Sequence, residues 1–144
     1  MKESVSYHFK NAEVKYYFND RFSALSKLTG KDRTVLITDE NVYRKHTSKF
    51  RGWNTIVLKP GEEFKVQATV DSIIDQLIAF QADRQFTLVG VGGGVVSDLT
   101  GYVASVFMRG ISFGFVPTSL LAMVDASIGG KNGIDVGPYK NLVG

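Results

Sequence analysis

Short apolar runs alternate along the chain with a segment of helical periodicity. The runs at 34–38 (TVLIT), 54–59 (NTIVLK), 86–91 (FTLVGV) and 111–116 are bounded by charged residues, Gly or Pro, which indicates buried strands. Apolar residues recur at three- and four-residue intervals from about 65 to 81 and predict an amphipathic helix. This alternation predicts an α/β fold, a Rossmann-like parallel sheet flanked by helices.

The remaining elements follow from local signals. Asp39 stands at the N-cap of a predicted helix that ends near residue 49, and another helix follows the glycines at 92–94. Residues 119–124 are predicted to be helical, with a Gly-rich loop after them. At the N-terminus, the weaker runs 4–9 and 13–18 are predicted to pair as a hairpin.

Composition excludes several classes of protein. The 144 residues include no Cys and two His, which argues against a disulfide framework, a thiol nucleophile or a Cys/His zinc site within this chain. A net charge of +3 gives little support to nucleic-acid or membrane-surface binding. No apolar run approaches the roughly 20 residues of a membrane span, and the first residues lack a signal-peptide pattern. We therefore expect one cytoplasmic domain over residues 1–144.

Glycine and charge are distributed in opposite directions. Only three of the 15 glycines precede residue 90, whereas the last 55 residues hold just six of the 31 charged side chains. Those six are Asp98, Arg109, Asp125, Lys131, Asp135 and Lys140. A charge-poor stretch of this length indicates a buried region or a lined cleft.

The three glycines at 92–94 are the strongest candidate for ligand binding. They join a strand to a helix, where backbone N–H groups and the helix dipole favour a phosphate. A simple tight turn is the alternative, although three consecutive glycines are entropically costly for a turn. Val95 stands where the dinucleotide fingerprint GxGxxG needs Gly, and no Lys-Ser/Thr pair follows as in a Walker A loop. The loop therefore indicates a nucleotide without identifying it.

The sparse charged residues differ in how strongly they indicate function. Asp125 lies among apolar residues and needs a partner, so a functional role is favoured. Asp98 would equally suit ligand contact or the helix dipole, and Arg109 could simply complement the helix C-terminus. Lys131 follows two glycines and presents an ammonium beside exposed backbone. Asp135 is interpreted as a turn residue rather than a ligand.

Two long stretches resemble one known family. GGGVVSDLTGYVASVFMRG and VPTSLLAMVDASIGGKNGIDVGPYKNLVG, preceded by TDENV (38–42) and PGEEFK (60–65), closely resemble the N-terminal half of 3-dehydroquinate synthase. The resemblance implies an NAD- and metal-dependent enzyme of the shikimate pathway. Such enzymes convert 3-deoxy-D-arabino-heptulosonate 7-phosphate into 3-dehydroquinate and phosphate. It also implies a homodimer, and a zinc or cobalt ion held by a helical C-terminal domain absent from these 144 residues.

The resemblance assigns roles to individual positions. The residues that it implies for NAD binding are Asp39, Asn41, Glu62, Lys65, Gly93, Gly94, Asp98, Thr118, Ser119, Lys131 and Lys140. It implies that Asp125, Lys131 and Asn141 face the substrate. Arg109 would reach the substrate phosphate across a dimer interface, and no residue here is assigned to a metal. We expect this half to be inactive alone.

Three alternatives remain open. A related sugar-phosphate cyclase would have the same fold, although VDASIGGK favours the dehydroquinate branch. Polyol and iron-type alcohol dehydrogenases resemble the GGG…D loop but usually carry Lys near position 101, where this chain has Gly101. The third alternative is a nucleotide-binding module without catalytic activity.

Overall fold

The computed structural model of the chain describes residues 3–144. They divide into two compact units, the first ending at Gly30 and the second beginning at Lys31. In the first unit, β1 (Glu3–Phe9) pairs antiparallel with β2 (Ala12–Phe18), and the short helix α1 (Leu25–Thr29) follows. The predicted N-terminal hairpin is therefore confirmed.

The second unit is built on a four-stranded parallel sheet in the order β4-β3-β5-β6. Its strands are β3 (Thr34–Asp39), β4 (Asn54–Leu58), β5 (Thr87–Gly92) and β6 (Ser112–Pro117). In the register of the sheet, Ile37 lies opposite Ile56 on one side and Gly90 on the other. The four predicted strands agree with these bounds to within about a residue, because each is a short apolar run with a clear break at its end.

Three helices flank this sheet: α2 (Glu40–Phe50), α3 (Gln67–Ala79) and α4 (Gly94–Val106). The predicted N-cap of α2 is confirmed, since Asp39 Oδ1 accepts the backbone N–H groups of Asn41 (2.8 Å) and Val42 (3.0 Å). None of the helices within residues 3–144 is long and apolar enough to cross a membrane.

The hydrophobic core lies between the sheet and the helices α3 and α4. Its fully buried members include Val35, Ile37, Ile56, Ile73, Leu77, Leu88, Leu99 and Val103. Close packing of α4 requires glycine at two positions of β5. A Cβ on Gly90 would lie 2.7 Å from Thr100 Oγ1, and one on Gly92 would lie 2.7 Å from Val96 Cγ2. These two glycines therefore bring α4 against the end of β5.

The C-terminal part of the chain differs from its prediction in two ways. The helix predicted at 119–124 includes a π-helical turn, Ala122–Ala126, closed by the Ser127 N–H donating to Ala122 O at 3.0 Å. The predicted Gly-rich loop is wrong in its second half, because β7 (Ile134–Val136) and β8 (Tyr139–Val143) form an antiparallel hairpin. Both strands are too short for a period-two pattern to stand out.

Candidate functional site

Loops at the carboxyl ends of the sheet strands enclose a cavity of about 160 Å³. It is lined by Asp39, Leu58, Lys59, Pro60, Gly61, Gly93, Gly94, Val95 and Val96. This is the edge at which open parallel sheets bind ligands. We call the part formed by Asp39, Gly93 and Gly94 the glycine cradle. It joins residues from the ends of two neighbouring strands, β3 and β5.

A larger groove, about 480 Å³, lies at the amino end of β4. Tyr43, Phe50, Trp53 and Phe80 are among the residues that line it. None of the predicted site residues contributes to this lining. Size alone therefore does not identify the candidate site, and the chemistry lies at the smaller cavity.

The glycines of the cradle are not required by the fold. Gly93 has φ −84°, which any residue can adopt, and Gly94 does not have a positive φ either. A Cβ on Gly93 would lie 3.5 Å from Ser119 Oγ, and one on Gly94 would lie 3.9 Å from Ala126 Cβ, both ordinary contacts. Glycine at these positions therefore keeps side-chain atoms out of the lining of the cavity.

The cradle suits an anionic group. Gly94 begins α4, and the N–H groups of the first turn of a helix have no acceptor within the helix. These N–H groups and the positive end of the helix dipole favour phosphate. The cradle therefore fits a pyrophosphate held by backbone N–H groups with open space above them.

A charged cluster surrounds the buried side chain of Lys65. Its Nζ lies 2.7 Å from Asn141 Oδ1, 2.8 Å from Glu62 Oε1 and 3.2 Å from Asp98 Oδ2. An ammonium has three protons to donate, so these three acceptors satisfy it fully. Asp135 Oδ1 lies 3.9 Å away as a third acidic neighbour, after Glu62 and Asp98. We call Glu62, Lys65, Asp98, Asp135, Lys140 and Asn141 the Lys65 cluster.

Distant parts of the chain supply these side chains. Glu62 lies in the turn after β4, Asp98 lies one turn into α4, and Asn141 lies on β8. The Asp135 N–H donates to Lys65 O at 2.8 Å, which attaches β7 to the backbone beside Lys65. Helix α4 supplies both the end of the cradle and Asp98, so the two parts share one rigid element.

The environment shifts the pKa values within the cluster. Burial alone would lower the pKa of Lys65, but the hydrogen bonds and charges of Glu62 and Asp98 outweigh it, and the pKa is raised. Burial raises the pKa of Asp98. Lys65 opposes this shift, and the negative charges of Glu62 and Asp125 add to it. Groups whose pKa is perturbed by burial together with a specific charged partner are typical of functional sites.

The interpretation of Asp135 as a turn residue is wrong. Its side chain is 4% exposed, Oδ2 accepts Lys140 Nζ at 2.8 Å, and Oδ1 accepts the Asn141 N–H at 2.8 Å. Lys140 and the Asn141 N–H lower its pKa. The signal that singled out Asp125, a charge between apolar residues, also exists at Asp135, which lies between Ile134 and Val136.

Several other predicted residues border the cradle. The Thr118 N–H donates to Gly92 O at 2.9 Å, and Ser119 lies beside Gly93. Asp125, on the π-helical turn, is close enough to raise the pKa of Asp98. The backbone N–H of Asn41 donates to Asp39 Oδ1, which places Asn41 next to the cradle.

Arg109 and Lys131 are exposed and make no ion pair or hydrogen bond with other residues of the described range 3–144. Arg109 has a left-handed backbone (φ 66°), as does Met108 before it (φ 49°). Within the same range, no three His, Asp or Glu side chains lie close enough together to hold a metal ion. The structure therefore does not bring these two basic residues to the cluster, and the described residues do not fit a metal.

The fold is that of NAD+-binding cyclases of known structure. A 2-deoxy-scyllo-inosose synthase complexed with carbaglucose-6-phosphate, NAD+ and Co2+ is 25% identical, with a TM-score of 0.82 over 98% of this chain and 42% of that chain. The 2-epi-5-epi-valiolone synthase of Streptomyces hygroscopicus, with NAD+ and Zn2+ bound, is 27% identical, with a TM-score of 0.76 over 83% of this chain and 36% of that chain.

The family is more specific than the fold. The family profile described as 3-dehydroquinate synthase N-terminal matches residues 55–144, and the chain belongs to this family. The 3-dehydroquinate synthase of Campylobacter curvus is 39% identical over 138 residues, 92% of this chain and 40% of the relative. The 3-dehydroquinate synthase of Clostridium acetobutylicum is 42% identical over 134 residues, which cover 88% of this chain and 38% of the relative. The chain thus spans about 40% of the length of these relatives.

Proposed function

We propose that residues 1–144 are the NAD-binding domain of a 3-dehydroquinate synthase, which converts 3-deoxy-D-arabino-heptulosonate 7-phosphate into 3-dehydroquinate and phosphate. One observation carries the proposal. In a chain about 40% identical to enzymes of that name, α4 joins an open glycine cradle to the Lys65 cluster, whose central lysine is buried.

The cradle residues would hold the dinucleotide. Backbone N–H groups at Gly93 and Gly94 would bind the pyrophosphate. Asp39 uses Oδ1 for two N–H groups of α2, which leaves Oδ2 to accept a hydroxyl of the adenosine ribose. Thr118 and Ser119 would bind the dinucleotide from the opposite side of the loop. Asn41 would support the adenosine end next to Asp39.

The Lys65 cluster would hold the nicotinamide end. Asp98 uses Oδ2 for Lys65, which leaves Oδ1 to accept a ribose hydroxyl. Glu62 and Lys65 would contact the nucleoside portion, and Lys140 would lie near the cofactor. Because the three protons of Lys65 are already donated, the ligand must displace one of its partners or bind through them.

The substrate would lie beside this end of the cofactor. Asn141 accepts Lys65 with Oδ1, so its Nδ2 remains to donate to the substrate. The exposed ammonium of Lys131 would neutralise developing phosphate and enolate charge, and Asp125 would accept a substrate hydroxyl. Arg109, on its exposed left-handed turn, would reach the phosphate of a substrate bound in a second subunit.

When bound, NAD would supply reversible hydride chemistry at the substrate carbon that bears a hydroxyl group, and because the hydride is returned, the net reaction is a cyclisation with loss of phosphate. We assign no step to a metal, because the described residues form no metal site. We propose that a zinc or cobalt ion is held by a helical C-terminal domain in the longer protein, and that the protein acts as a cytoplasmic homodimer. The solved neighbours with Co2+ and Zn2+ support the metal.

Phosphate release in a chimera tests this function. Residues 1–144 are joined to the part of the Campylobacter curvus enzyme beyond its matching region, and NAD+ and Zn2+ or Co2+ are added. We expect the chimera to release phosphate from the heptulosonate phosphate, and the 144-residue chain alone to release none. A folded chimera that binds NAD+ without releasing phosphate would contradict the proposal.

Lys131→Ala sharpens this test. It should lower turnover of the chimera by about 100-fold, as expected when one charge-stabilising donor is lost. Lys45→Ala, which removes an exposed lysine on α2, serves as the matched control and should leave turnover unchanged. Equal turnover in both variants would remove Lys131 from the mechanism.

A related cyclase is the second candidate function. The structural match to a synthase complexed with carbaglucose-6-phosphate supports it. The same assay separates the two, since phosphate release from glucose 6-phosphate and not from the heptulosonate phosphate would favour this candidate.

A further inference from the structure

We infer that Asp135 is a positioning residue that fixes Asn141 and Lys140 beside Lys65, so that β8 presents them to the ligand. The inference rests on the proposed function for the identity of that ligand. The arrangement itself belongs to the chain without ligand and can be measured there.

Asp135 connects β7, β8 and Lys65 through both carboxylate oxygens and its backbone N–H. Oδ1 accepts the Asn141 N–H at 2.8 Å, and Oδ2 accepts Lys140 Nζ at 2.8 Å. Its own N–H donates to Lys65 O at 2.8 Å. One residue thus connects two adjacent residues of β8 with the backbone of the residue at the centre of the cluster.

The backbone of Asn141 needs this support. Asn141 has φ 49°, in the left-handed region that L-residues other than Gly rarely adopt, although Asn tolerates it best. Its N–H is held by Asp135 and its Oδ1 by Lys65 Nζ at 2.7 Å. Because the backbone and the side chain are each fixed by one bond, the amide of Asn141 keeps a single orientation.

The charge of Asp135 matters as well as its shape. Its carboxylate lies between two ammonium groups, 2.8 Å from Lys140 Nζ and 3.9 Å from Lys65 Nζ. Lys65 would keep Glu62 and Asp98 without it, whereas Lys140, whose side chain is 64% exposed, would have no other acidic partner among the described residues. Loss of the charge should therefore release Lys140 into solvent first.

Two variants separate shape from charge. Asp135→Asn keeps an oxygen for the Asn141 N–H but loses the charge that holds Lys140, whereas Asp135→Ala loses both. In the ligand-free 144-residue chain at pH 7, amide hydrogen exchange measured by NMR should show the Asn141 N–H protected in the wild type. Protection should fall by about tenfold in Asp135→Ala and stay within about threefold in Asp135→Asn.

Calorimetric titration with NAD+ extends the comparison to the ligand. We expect affinity to fall by about tenfold in Asp135→Ala and by about threefold in Asp135→Asn. Asp83→Ala is the matched control, because Asp83 Oδ1 also accepts a backbone N–H, that of Gln85 at 2.8 Å, in an exposed turn. It should leave both the Asn141 protection and NAD+ affinity unchanged.

The outcomes separate this inference from the proposed function. If Asn141 remains protected in Asp135→Ala, or if NAD+ affinity is unchanged while Asn141 loses protection, Asp135 does not position the site. If Asp135→Ala does not fold, an Asp135→Asn variant with wild-type NAD+ affinity would overturn the inference in the same way. If the wild type binds no NAD+, the proposed function fails, and the exchange data alone decide whether Asp135 holds Asn141.

Discussion

The glycine cradle and the Lys65 cluster are built by opposite means. In the cradle, Gly93 and Gly94 keep side chains away from a cavity of about 160 Å³, and the backbone N–H groups at the start of α4 are available to an anion. In the cluster, side chains from four parts of the chain meet at one ammonium whose three protons are all donated. One part of the site offers open space to a ligand, and in the other the central ammonium is already fully paired.

The difference between the two parts predicts that substitutions in them will have different effects on ligand binding and on stability. A ligand can enter the cradle without displacing side-chain atoms of Gly93 and Gly94, because these residues have none. At the cluster, a ligand must compete with existing bonds to Lys65. We therefore expect changes in the cradle to affect binding alone, and changes in the cluster to affect both folding and binding.

Removing the central ammonium should have the largest effect. Lys65→Met would leave Glu62, Asp98 and Asp135 without their shared cation, and we expect the free energy of unfolding to fall by about 3 kcal/mol. Chemical denaturation measures this change. The exposed Lys59, whose Nζ lies 5.7 Å from the centre of the Phe64 ring, provides the control.

Lys59→Met should cost less than about 1 kcal/mol. Adding Asp98→Asn to Lys65→Met should restore part of the lost stability, since one unpaired carboxylate is removed. Equal losses from Lys65→Met and Lys59→Met would show that the cluster is not a buried charge centre.

Filling the cradle should affect binding without affecting stability. Gly94→Val should lower NAD+ affinity about 100-fold, as expected from the loss of two charge-assisted hydrogen bonds, with little change in the melting temperature. Gly114→Val on β6 is the matched control, because a Cβ on Gly114 meets nothing within 4 Å and one on Gly94 makes only an ordinary contact, at 3.9 Å from Ala126 Cβ. A Gly94→Val variant that binds NAD+ like this control would contradict the role of the cradle.

An acid titration should distinguish two carboxyl groups of the Lys65 cluster by their pKa values. The pKa of Asp98 is raised and that of Asp135 is lowered, so carbon-13 NMR should show Asp98 titrating above, and Asp135 below, the ordinary aspartate value of about 3.9. Asp135 stabilises the fold above that ordinary value, and this stabilisation is lost as pH falls through its lowered pKa. The contribution of Asp98 to stability depends on pH with the opposite sign, because the folded state binds the Asp98 proton more readily than the unfolded state does.

Protonation of Asp98 should also weaken NAD+ binding by about tenfold, because a neutral carboxyl is a poorer acceptor for a ribose hydroxyl. The loss should begin at a higher pH than the ordinary aspartate range. Asp98→Asn should abolish this acid limb, whereas Asp71→Asn on the exposed face of α3 should preserve it. An acid limb that persists in Asp98→Asn belongs to another group.

The smallest effect on stability is expected from a substitution in α4, the helix that the glycine cradle and the Lys65 cluster share. Thr100 Oγ1, on α4, is buried without a hydrogen-bond partner among the described residues, whereas Thr38 Oγ1 donates to Val91 O at 2.7 Å. Thr100→Val should therefore leave stability unchanged or raise it by up to about 1 kcal/mol, and Thr38→Val should lower it by about 1 kcal/mol. Thermal unfolding compares the two, and a loss in Thr100→Val equal to that in Thr38→Val would indicate a missed partner.

The sequence predicted the cradle better than the cluster. Apolar runs, the Asp39 cap and the position of the three glycines are local signals, and the structure confirms all three. The bonds from Lys65 to Asp98 and Asn141 join residues 33 and 76 positions apart, which no local pattern reveals. For the same reason, the local sequence around Asp135 predicts a turn residue, whereas its carboxylate in fact binds Lys140 and Asn141.

Local sequence patterns also failed to predict elements that lack the regular repeat of an α-helix or a β-strand. The π-helical turn at Ala122–Ala126 has neither the helical nor the strand period, and β7 has only three residues. Resemblance to the family pointed to every position of the Lys65 cluster except Asp135, but not to the way Lys65 binds its partners.

The central claim is that NAD+ binds at the glycine cradle, and amide NMR of the 144-residue chain tests it most directly. On titration with NAD+, the amide signals of Gly93, Gly94 and Val95 should shift and saturate together, while those of Gly52 and Asn54 in the larger groove stay in place. No shift at millimolar NAD+, or saturating shifts centred on the groove, would contradict the account.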